Sequence, residues 1–304
     1  MTPAISVAGL SRRYRGQLAL DHVSFDIEPG SITGLLGRNG AGKTTLLRIL
    51  AGAEFPSAGS VTVLGASPVK SDALLHRLVF VREDQRYPDY GLPGGFKVWH
   101  ALRAASWFYP DWDGELAEAL AADFGLPPGR SVKRLSRGMR SALGIVIGLA
   151  ARAEVTLFDE PYAGLDPVAR QLFYDRLLAD YAAHPRTVLL STHMIDEAAG
   201  LLERVVVIDR GRVMLDAATD EVRGSATSVS GPAIAVAEFT AGRTVLDRRR
   251  IGSQESVVVA GALDDTDRAR ARALRLHLES LTLQQAVVHA ASKPEPDTRE
   301  RTSA

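Results

Sequence analysis

The stretch Gly37-Arg38-Asn39-Gly40-Ala41-Gly42-Lys43-Thr44 decides the fold. It follows a short apolar run at residues 31–36 and precedes residues 43–51, where apolar side chains recur with helical spacing. This order predicts a strand, a glycine-rich loop and a helix, the setting in which the pattern G-x-x-x-x-G-K-[ST] has meaning. The alternative is a chance glycine turn before a helix, and the strand and helix on either side argue against it.

The loop has the composition of a phosphate cradle. Glycines let successive backbone N–H groups turn toward a bound anion. The positive end of the following helix points at the same place. Lys43 supplies a positive charge for the β- and γ-phosphates of a nucleotide, and the Thr44 hydroxyl can ligate Mg²⁺. The sequence therefore predicts a nucleotide site with a metal ion.

A second motif, Asp159-Glu160, follows the apolar run at residues 155–158. A buried strand there places Asp159 at its carboxyl end beside the glycine loop, where the carboxylate can hold Mg²⁺. Glu160, one residue later, is positioned to orient or deprotonate an attacking water. Acidic residues often close strands, so this pair gains its meaning from the loop that precedes it.

Composition excludes several classes of protein. Of the 304 residues, 46% are hydrophobic and 24% are charged, as in an ordinary globular protein. Lys and Arg total 36, and Asp and Glu also total 36, so the basic excess of a phosphate-neutralising nucleic-acid binder is missing. Two short basic clusters, at residues 248–250 and 268–275, have acidic neighbours. The absence of cysteine excludes a disulfide scaffold, a Cys nucleophile, a thiolate zinc site and an iron–sulfur cluster.

No segment is expected to cross a membrane. The N-terminal residues lack the apolar core of a secretory signal. The longest apolar stretch, residues 142–151, is far shorter than the roughly 20 residues that span a bilayer. If the protein works at a membrane, another chain must do the crossing.

Hydrophobic periodicity predicts an α/β fold. Alternation predicts strands of an antiparallel sheet at residues 5–10 and 19–27, and shorter runs predict further strands at 60–64, 78–81, 155–158 and 187–190. Residues 205–208 and 212–215 flank a turn signal and are expected to form a hairpin. Helical spacing at 98–109 and 114–124 indicates a helical insert over about residues 88–151, and a helix is expected at 167–183. This alternation of strands and helices is typical of a mostly parallel sheet covered by helices.

A Ser-, Thr-, Ala- and Gly-rich stretch after Gly224 predicts a domain boundary. We expect one domain over residues 3–222 and a small α+β accessory module over residues 228–290, with a strand at 256–261 and a helix at 265–274. The final residues, 292–304, are rich in Pro, Ser and charge and are expected to be disordered.

Four more motifs accompany the first two in a fixed order. They are Tyr14 ahead of the strand at 19–27, Leu135-Ser136-Arg137-Gly138-Met139, Ala163-Gly164-Leu165-Asp166, and Ser191-Thr192-His193. On these motifs, residues 3–220 resemble an ATP-binding cassette (ABC) ATPase, the nucleotide-binding subunit of a transporter. The resemblance implies a P-loop NTPase fold with a mixed sheet core, an antiparallel N-terminal β-subdomain and a helical insert.

The resemblance also implies a role for each motif. ATP would stack on Tyr14 and be held by the loop and the start of its helix, namely Gly37, Arg38, Asn39, Gly40, Ala41, Gly42, Lys43, Thr44 and Thr45. Two subunits would sandwich two ATP molecules, with Ser136 and Gly138 of each completing the site of its partner. His193 would contact the γ-phosphate and position water beside the base Glu160, and Asp166 would communicate between the sites.

The chain departs from the family pattern at three positions. Arg137 replaces a glycine of the signature and Met139 replaces a glutamine, both beside the residues that touch phosphate. At the Q-loop, Glu83 aligns with the family's glutamine, while Gln85 lies two residues later. We expect Glu83 to join Thr44 and Asp159 as a Mg²⁺ ligand, with Gln85 as the alternative.

A finer resemblance concerns a bacterial subgroup of drug or peptide-antibiotic exporters, often linked to GntR-type repressors. It is carried by Phe108-Tyr109-Pro110-Asp111-Trp112-Asp113 and by the accessory module. For the aromatic segment, a plain turn that joins two helices is the alternative interpretation.

The expected function is that of an ATP-binding and ATP-hydrolysing subunit, powering export by a separate integral-membrane permease through ATP-dependent dimerisation. The second ATPase of the pair would be another copy of this chain or a different, paired subunit. No nucleic-acid partner is expected. The protein would lie at the cytoplasmic face of the membrane, bound to its permease. The alternative is a soluble, non-transport ABC ATPase acting on the ribosome or nucleic acid. A regulatory domain without turnover is a third class, and Glu160 argues against it.

Overall fold

The structure is a computed structural model and describes residues 2–82 and 95–291. Its contacts divide the chain into two units, one of residues up to 194 together with 200–216, the other of residues 195–199 together with those from 217 onward. The chain thus leaves the first unit at residues 195–199 and returns to it. Across the described ranges, no helix combines the length and apolar character needed to cross a membrane.

The first unit contains nine strands and five α-helices within the described ranges. In chain order the strands are β1 (Ile5–Tyr14), β2 (Gln17–Ile27), β3 (Ile32–Leu36), β4 (Ala58–Val63), β5 (Leu78–Arg82), β6 (Val155–Asp159), β7 (Thr187–Thr192), β8 (Arg204–Asp209) and β9 (Arg212–Ala218), the last of which ends in the second unit. The helices are α1 (Lys43–Leu50), α2 (Val98–Phe108), α3 (Gly114–Asp123), α4 (Arg137–Ala150) and α5 (Pro167–Ala183).

Six of these strands form one sheet in the order β5-β6-β7-β3-β8-β9. The pairs from β5 to β8 run parallel. Every residue of β3, β6 and β7 is buried, because a central parallel strand has both faces covered. This explains why these strands are continuous apolar runs in the sequence. The carboxyl ends of β3, β6 and β7 therefore meet along one edge of the sheet.

A three-stranded antiparallel sheet, in the order β2-β1-β4, makes the second layer of this unit. Its apolar face includes Ile5, Leu10 and Val23, which belong to the same buried cluster as Leu46 and Leu47 of α1. The glycine loop and its helix are thus anchored between the two sheets. The mixed sheet core and the antiparallel N-terminal sheet agree with the predicted fold class.

Helix α4 begins at its signature residues and packs closely on the parallel sheet. Ser136 is its N-cap, with Oγ accepting a hydrogen bond from the Met139 amide at 3.1 Å. A Cβ added at Gly148 would lie 2.6 Å from Val81 Cγ2, so the helix approaches β5 only because a side chain is missing there.

The second unit contains α6 (Ile195–Ala198), α7 (Thr219–Gly224), β10 (Ala226–Pro232), α8 (Ala233–Thr240), β11 (Val245–Ile251), β12 (Gln254–Ala260), α9 (Asp265–Ala273), β13 (His277–Ser280) and α10 (Leu283–Ala291). The small-residue stretch after Gly224, where a domain boundary is predicted, forms the strand β10. Its Val229 is fully buried in the core of this unit. Residues 292–304, the expected disordered tail, lie outside the described residues.

Candidate active site

The glycine loop joins β3 to α1 with a backbone that only glycine adopts easily. Gly37, Gly40 and Gly42 have φ of 153°, 83° and 112°. A Cβ at Gly37 would lie 2.2 Å from the Ile208 carbonyl oxygen, and one at Gly42 would lie 2.7 Å from that of Ala19. Gly42 is the N-cap of α1 and offers no capping side chain, so the first amides of the helix remain available to an anion.

Lys43 lies almost fully buried under this loop, with 6% of its surface exposed. Its Nζ donates a hydrogen bond to the Gly37 carbonyl at 2.6 Å and lies 3.4 Å from Glu160 Oε1. The ammonium group is therefore fixed between the phosphate loop and the acidic end of β6. A phosphate bound in the loop would compete with these two oxygens for the ammonium group.

Asp159 ends β6 and is held by the neighbouring strand. It pairs with Ser191 across the parallel ladder, and Ser191 Oγ donates to Asp159 Oδ1 at 2.7 Å. Burial raises the pKa of Asp159, although hydrogen bonds from Ser191 and Thr44 oppose that shift. A buried carboxylate in contact with a threonine hydroxyl is an oxygen donor set that suits Mg²⁺.

Across the described residues, no group of three or more His, Cys, Asp or Glu side chains could hold a metal alone. Mg²⁺ is usually bound by one or two protein oxygens together with phosphates and water.

Glu160 follows in a left-handed backbone conformation, with φ of 47°. Its Oε2 lies 2.7 Å from His193 Nδ1 and accepts a hydrogen bond from the Tyr162 hydroxyl. Its Oε1 is buried and, among the described residues, has no hydrogen-bond partner. One oxygen is thus held in place while the other faces Lys43, the geometry of a carboxylate positioned to accept a proton.

Tyr162 links the residues on both sides of this carboxylate. Its hydroxyl lies 2.6 Å from Thr192 Oγ1, and the His193 amide donates to it at 3.3 Å. Burial and the adjacent Glu160 raise the pKa of Tyr162, which keeps the phenol protonated and able to donate. Tyr162 is not among the residues predicted from the sequence, although it lies between Glu160 and the stretch 163–166.

A cavity of about 540 Å³ brings most of the predicted residues together. Its walls include Arg38, Asn39, Gly40, Gly42, Lys43, Thr44, Thr45, Glu160 and His193, together with Ala19, Arg137, Tyr162, Ala163, Gly164, Arg170 and Met194. The volume lies in the range of small-molecule sites. Arg137, noted in the sequence only as a departure, is one of the walls.

Other predicted residues lie elsewhere. Tyr14 does not line the cavity; its hydroxyl bonds Glu54 and its ring stacks under the Arg12 guanidinium. Asp166 caps α5 by accepting from the Ala169 amide at 2.8 Å.

Four predicted loop and signature residues are also outside the cavity wall, namely Gly37, Ala41, Ser136 and Gly138. A Cβ on Gly138 would lie 2.4 Å from the Gly164 carbonyl oxygen. Glu83 and Gln85 lie outside the described residues.

A glycine loop at a helix N-terminus, a buried lysine and a carboxylate pair at the carboxyl end of β6 define a P-loop nucleotide hydrolase. Comparison with known proteins narrows this class. The family described as "ABC transporter" matches residues 20–163.

Two curated relatives are similar over most of the chain. The chain is 35% identical over 230 residues to the daunorubicin/doxorubicin resistance ATP-binding protein DrrA of Streptomyces peucetius. The aligned region covers 74% of this chain and 68% of that protein. The chain is 37% identical over 216 residues to the Nod factor export ATP-binding protein I of Ralstonia nicotianae, covering 69% and 66% of the two chains. The matched region thus spans about two thirds of each relative.

A solved structure of an ATP-binding subunit of an ABC transporter has a TM-score of 0.63 at 26% identity, covering 73% of this chain and 92% of that one. The chain belongs to the ATP-binding subunits of ABC transporters, and it is an ATPase. The predicted family and fold are confirmed, and the export and drug-resistance names of the relatives agree with the predicted subgroup. The link to GntR-type repressors stays a prediction.

Proposed function

We propose that this ATPase powers export by a separate membrane permease, with two ATPase subunits closing on ATP and separating after its hydrolysis. The names of the two relatives, a drug-resistance protein and a Nod factor export protein, support export. The protein would then work at the cytoplasmic face of the membrane, bound to its permease.

The observation that carries the dimer is the placement of Ser136. It is exposed, it caps α4, and it does not line the cavity of its own chain. The Ser136 hydroxyl can therefore be offered to a nucleotide held by another subunit, at the positive end of its helix. A nucleotide cavity that lacks the chain's own Ser136 suits a head-to-tail pair.

Within each site, the residues divide the work. Lys43 and the loop amides bind the phosphates, and Glu160 accepts a proton from water while His193 and Tyr162 hold its Oε2. Thr44 and Asp159 would hold Mg²⁺, which when bound neutralises charge on the β- and γ-phosphate oxygens. Tyr14 would contact adenine, and Asp166 would relay between paired sites.

The dimer is tested with Glu160→Gln, which should retain ATP and keep the pair closed. Light scattering on the eluted protein should give twice the monomer mass with ATP and the monomer mass without it. Adding Ser136→Arg should restore the monomer, because the new side chain blocks the γ-phosphate of the other subunit. Glu115→Arg, an exposed site on α3, is the matched control and should leave the dimer intact. A dimer that survives Ser136→Arg contradicts the head-to-tail arrangement.

The export role is tested first by asking whether a multi-span membrane protein is encoded beside this chain, and then by expressing that protein together with the tagged chain. We expect the two to purify together from detergent-solubilised membranes and ATPase activity to rise in the complex. Recovery of the chain on ribosomes, with none on membranes, would instead support the non-transport alternative.

The Q-loop assignment stays a proposal. A carboxylate at Glu83 adds negative charge near the triphosphate, which is unfavourable without metal and favourable with it. Nucleotide affinity should therefore depend steeply on Mg²⁺, and Glu83→Gln should flatten that dependence. If Gln85→Ala abolishes the metal response and Glu83→Gln leaves it unchanged, Gln85 is the ligand.

A further inference from the structure

The second unit has an architecture of its own. Its elements β10, α8, β11, β12, α9 and β13 follow one another as βαββαβ, and the sheet has the order β11-β12-β10-β13. All three strand pairs are antiparallel. This is the split βαβ arrangement, in which the short fourth strand forms one edge beside the second helix. The nucleotide site uses none of these elements.

A cavity of about 440 Å³ lies in this unit, bounded by α9, the edge strand β13 and the start of β10. Part of its wall is apolar, since Leu263, Ala271, Leu276 and Leu278 all line it. Three of these four side chains are buried in the core of the unit. Both its volume and this apolar wall are typical of a site for a small organic molecule.

Three arginines from two elements converge on the same cavity. Arg223 comes from α7, while Arg268 and Arg272 stand one turn apart on α9. Glu279 is the one carboxylate of the described lining, so positive charge exceeds negative by two. Like charges spaced four residues apart on a helix repel each other. The described lining of the cavity therefore carries an excess of positive charge.

The arginines of α9 differ in the contacts that their side chains make. Arg270, on another side of the helix, donates to the Glu238 carbonyl at 2.8 Å and lies near the Phe239 ring. Arg268 contacts only the Leu263 carbonyl, at 3.4 Å, and the Arg272 side chain has no hydrogen-bond or ion-pair partner among residues 2–82 and 95–291. Thus Arg270 is used in packing, whereas the two arginines on the cavity side are not.

We propose that this cavity binds a small organic anion. Its carboxylate or phosphate group lies between Arg268 and Arg272, with Arg223 adding a third charge, and its apolar part lies against Leu263 and Leu276. Guanidinium groups bind planar oxyanions through paired N–H donors, and a bound anion removes the repulsion between the two arginines of α9. The accessory module is thereby a ligand-binding module, with a site separate from that of ATP.

The first test measures binding of anilinonaphthalene sulfonate, which joins an oxyanion to an apolar ring system and fluoresces on transfer from water. The full chain is used with saturating ADP and Mg²⁺, so that the phosphate loop is filled. We expect one saturable site, with competition by inorganic phosphate or by glutarate, and the stronger competitor identifies the headgroup. No saturable site, or no competition by either anion, overturns the proposal.

Variants locate that site. Arg268→Ala with Arg272→Ala should weaken dye binding by at least about tenfold, because two charged donors are lost. Arg249→Ala, which removes an exposed arginine of β11 outside the cavity, should leave the affinity unchanged. Should the double alanine variant fail to fold, Arg268→Lys with Arg272→Lys keeps the charge but loses the paired donors, and it should bind severalfold more weakly. An unchanged affinity in the folded double variant overturns the proposal.

A second measurement needs no ligand. Because the chain has no cysteine, Ala262→Cys places a single thiol on the cavity wall. A negatively charged methanethiosulfonate should modify it faster than a positively charged one, and removing Arg268 and Arg272 should lower that rate ratio. A ratio that stays the same in both backgrounds shows that the arginines create no anion-attracting field there and contradicts the proposal.

Discussion

The two carboxylate oxygens of Glu160 have different neighbours. A substitution at this residue can therefore test turnover separately from nucleotide binding. Oε2 is held by Tyr162 and His193, whereas Oε1 faces Lys43. Glu160→Gln keeps the shape but removes the proposed base, so we expect ATP to bind while kcat falls by about a hundredfold or more. Phosphate release and the binding of a fluorescent ATP analogue measure the two effects.

Lys43→Ala should affect nucleotide binding, in contrast to Glu160→Gln, which should affect turnover. It removes the charge that binds phosphate, so affinity for the analogue should fall and higher ATP concentrations should be needed for any turnover. A wild-type rate in Glu160→Gln would show that another group is the base.

In the proposed mechanism, Tyr162 positions that base. Tyr162→Phe keeps the ring but removes the hydroxyl that bridges Glu160, Thr192 and the His193 amide, so kcat should fall by about tenfold with nucleotide affinity unchanged. In a His193→Ala background the same substitution should cost much less, because both residues hold the same oxygen. Additive losses, or a fall in affinity alone, would assign Tyr162 a packing role.

The sequence predicts the residues of the loop and of Asp159-Glu160 because their chemistry depends on neighbours in the chain. Tyr162 could not be predicted in this way. Its contacts with Thr192 and His193 exist because β6 and β7 are adjacent in the sheet. Tyr14 illustrates the converse, since its motif position gives no hint of the contacts with Arg12 and Glu54 that its side chain makes.

At the scale of elements, the close contact between α4 and β5 should affect the free energy of unfolding. Gly148→Ala would place a methyl group 2.6 Å from Val81 Cγ2 and 2.9 Å from Phe158 Cε1. Overpacking of about 1–3 kcal/mol should exceed the gain of about 1 kcal/mol from the better helix former. We expect a lower free energy of unfolding, measured by denaturant titration.

Gly114→Ala is the control for this prediction. Gly114 begins α3, and the nearest atom to an added Cβ is Trp112 Nε1 at 3.9 Å. The same substitution should therefore raise the free energy of unfolding by up to about 1 kcal/mol. If both variants are destabilised alike, the close approach at Gly148 is not the cause.

Most elements of the first unit could be predicted because periodicity marks them clearly. Helix α5 has the predicted bounds, and β3, β6 and β7 are apolar runs. The strands of the second unit are harder to predict from the sequence. In β10 most side chains are small or polar and Val229 alone carries a large apolar group into the core, while β11 contains the charged run 248–250. Both are strands because β12 pairs with them on either side, which a single segment does not reveal.

At the scale of the whole molecule, nucleotide binding should not require the accessory module. All residues that line the nucleotide cavity precede residue 195. A chain ending at Gly224 should bind the fluorescent ATP analogue with unchanged affinity, and we expect its assembly or regulation to change. Loss of nucleotide binding by a truncated chain with a cooperative thermal transition would contradict this division of the molecule.

The proposed dimer makes a kinetic prediction for the intact protein. Because each site would borrow Ser136 from another subunit, ATPase activity should rise more steeply than the protein concentration while the subunits are mostly apart. Specific activity measured over a dilution series tests this. Constant specific activity from protein shown to be monomeric at every concentration would contradict it.

The left-handed backbone at Glu160 sets folding stability against turnover at this position. A non-glycine residue in that conformation costs about 1 kcal/mol or more of folding stability. Glycine or asparagine would occupy the position with less strain, but neither could accept the proton. In the proposed mechanism, a substitution that relieves this strain would therefore gain stability and lose turnover.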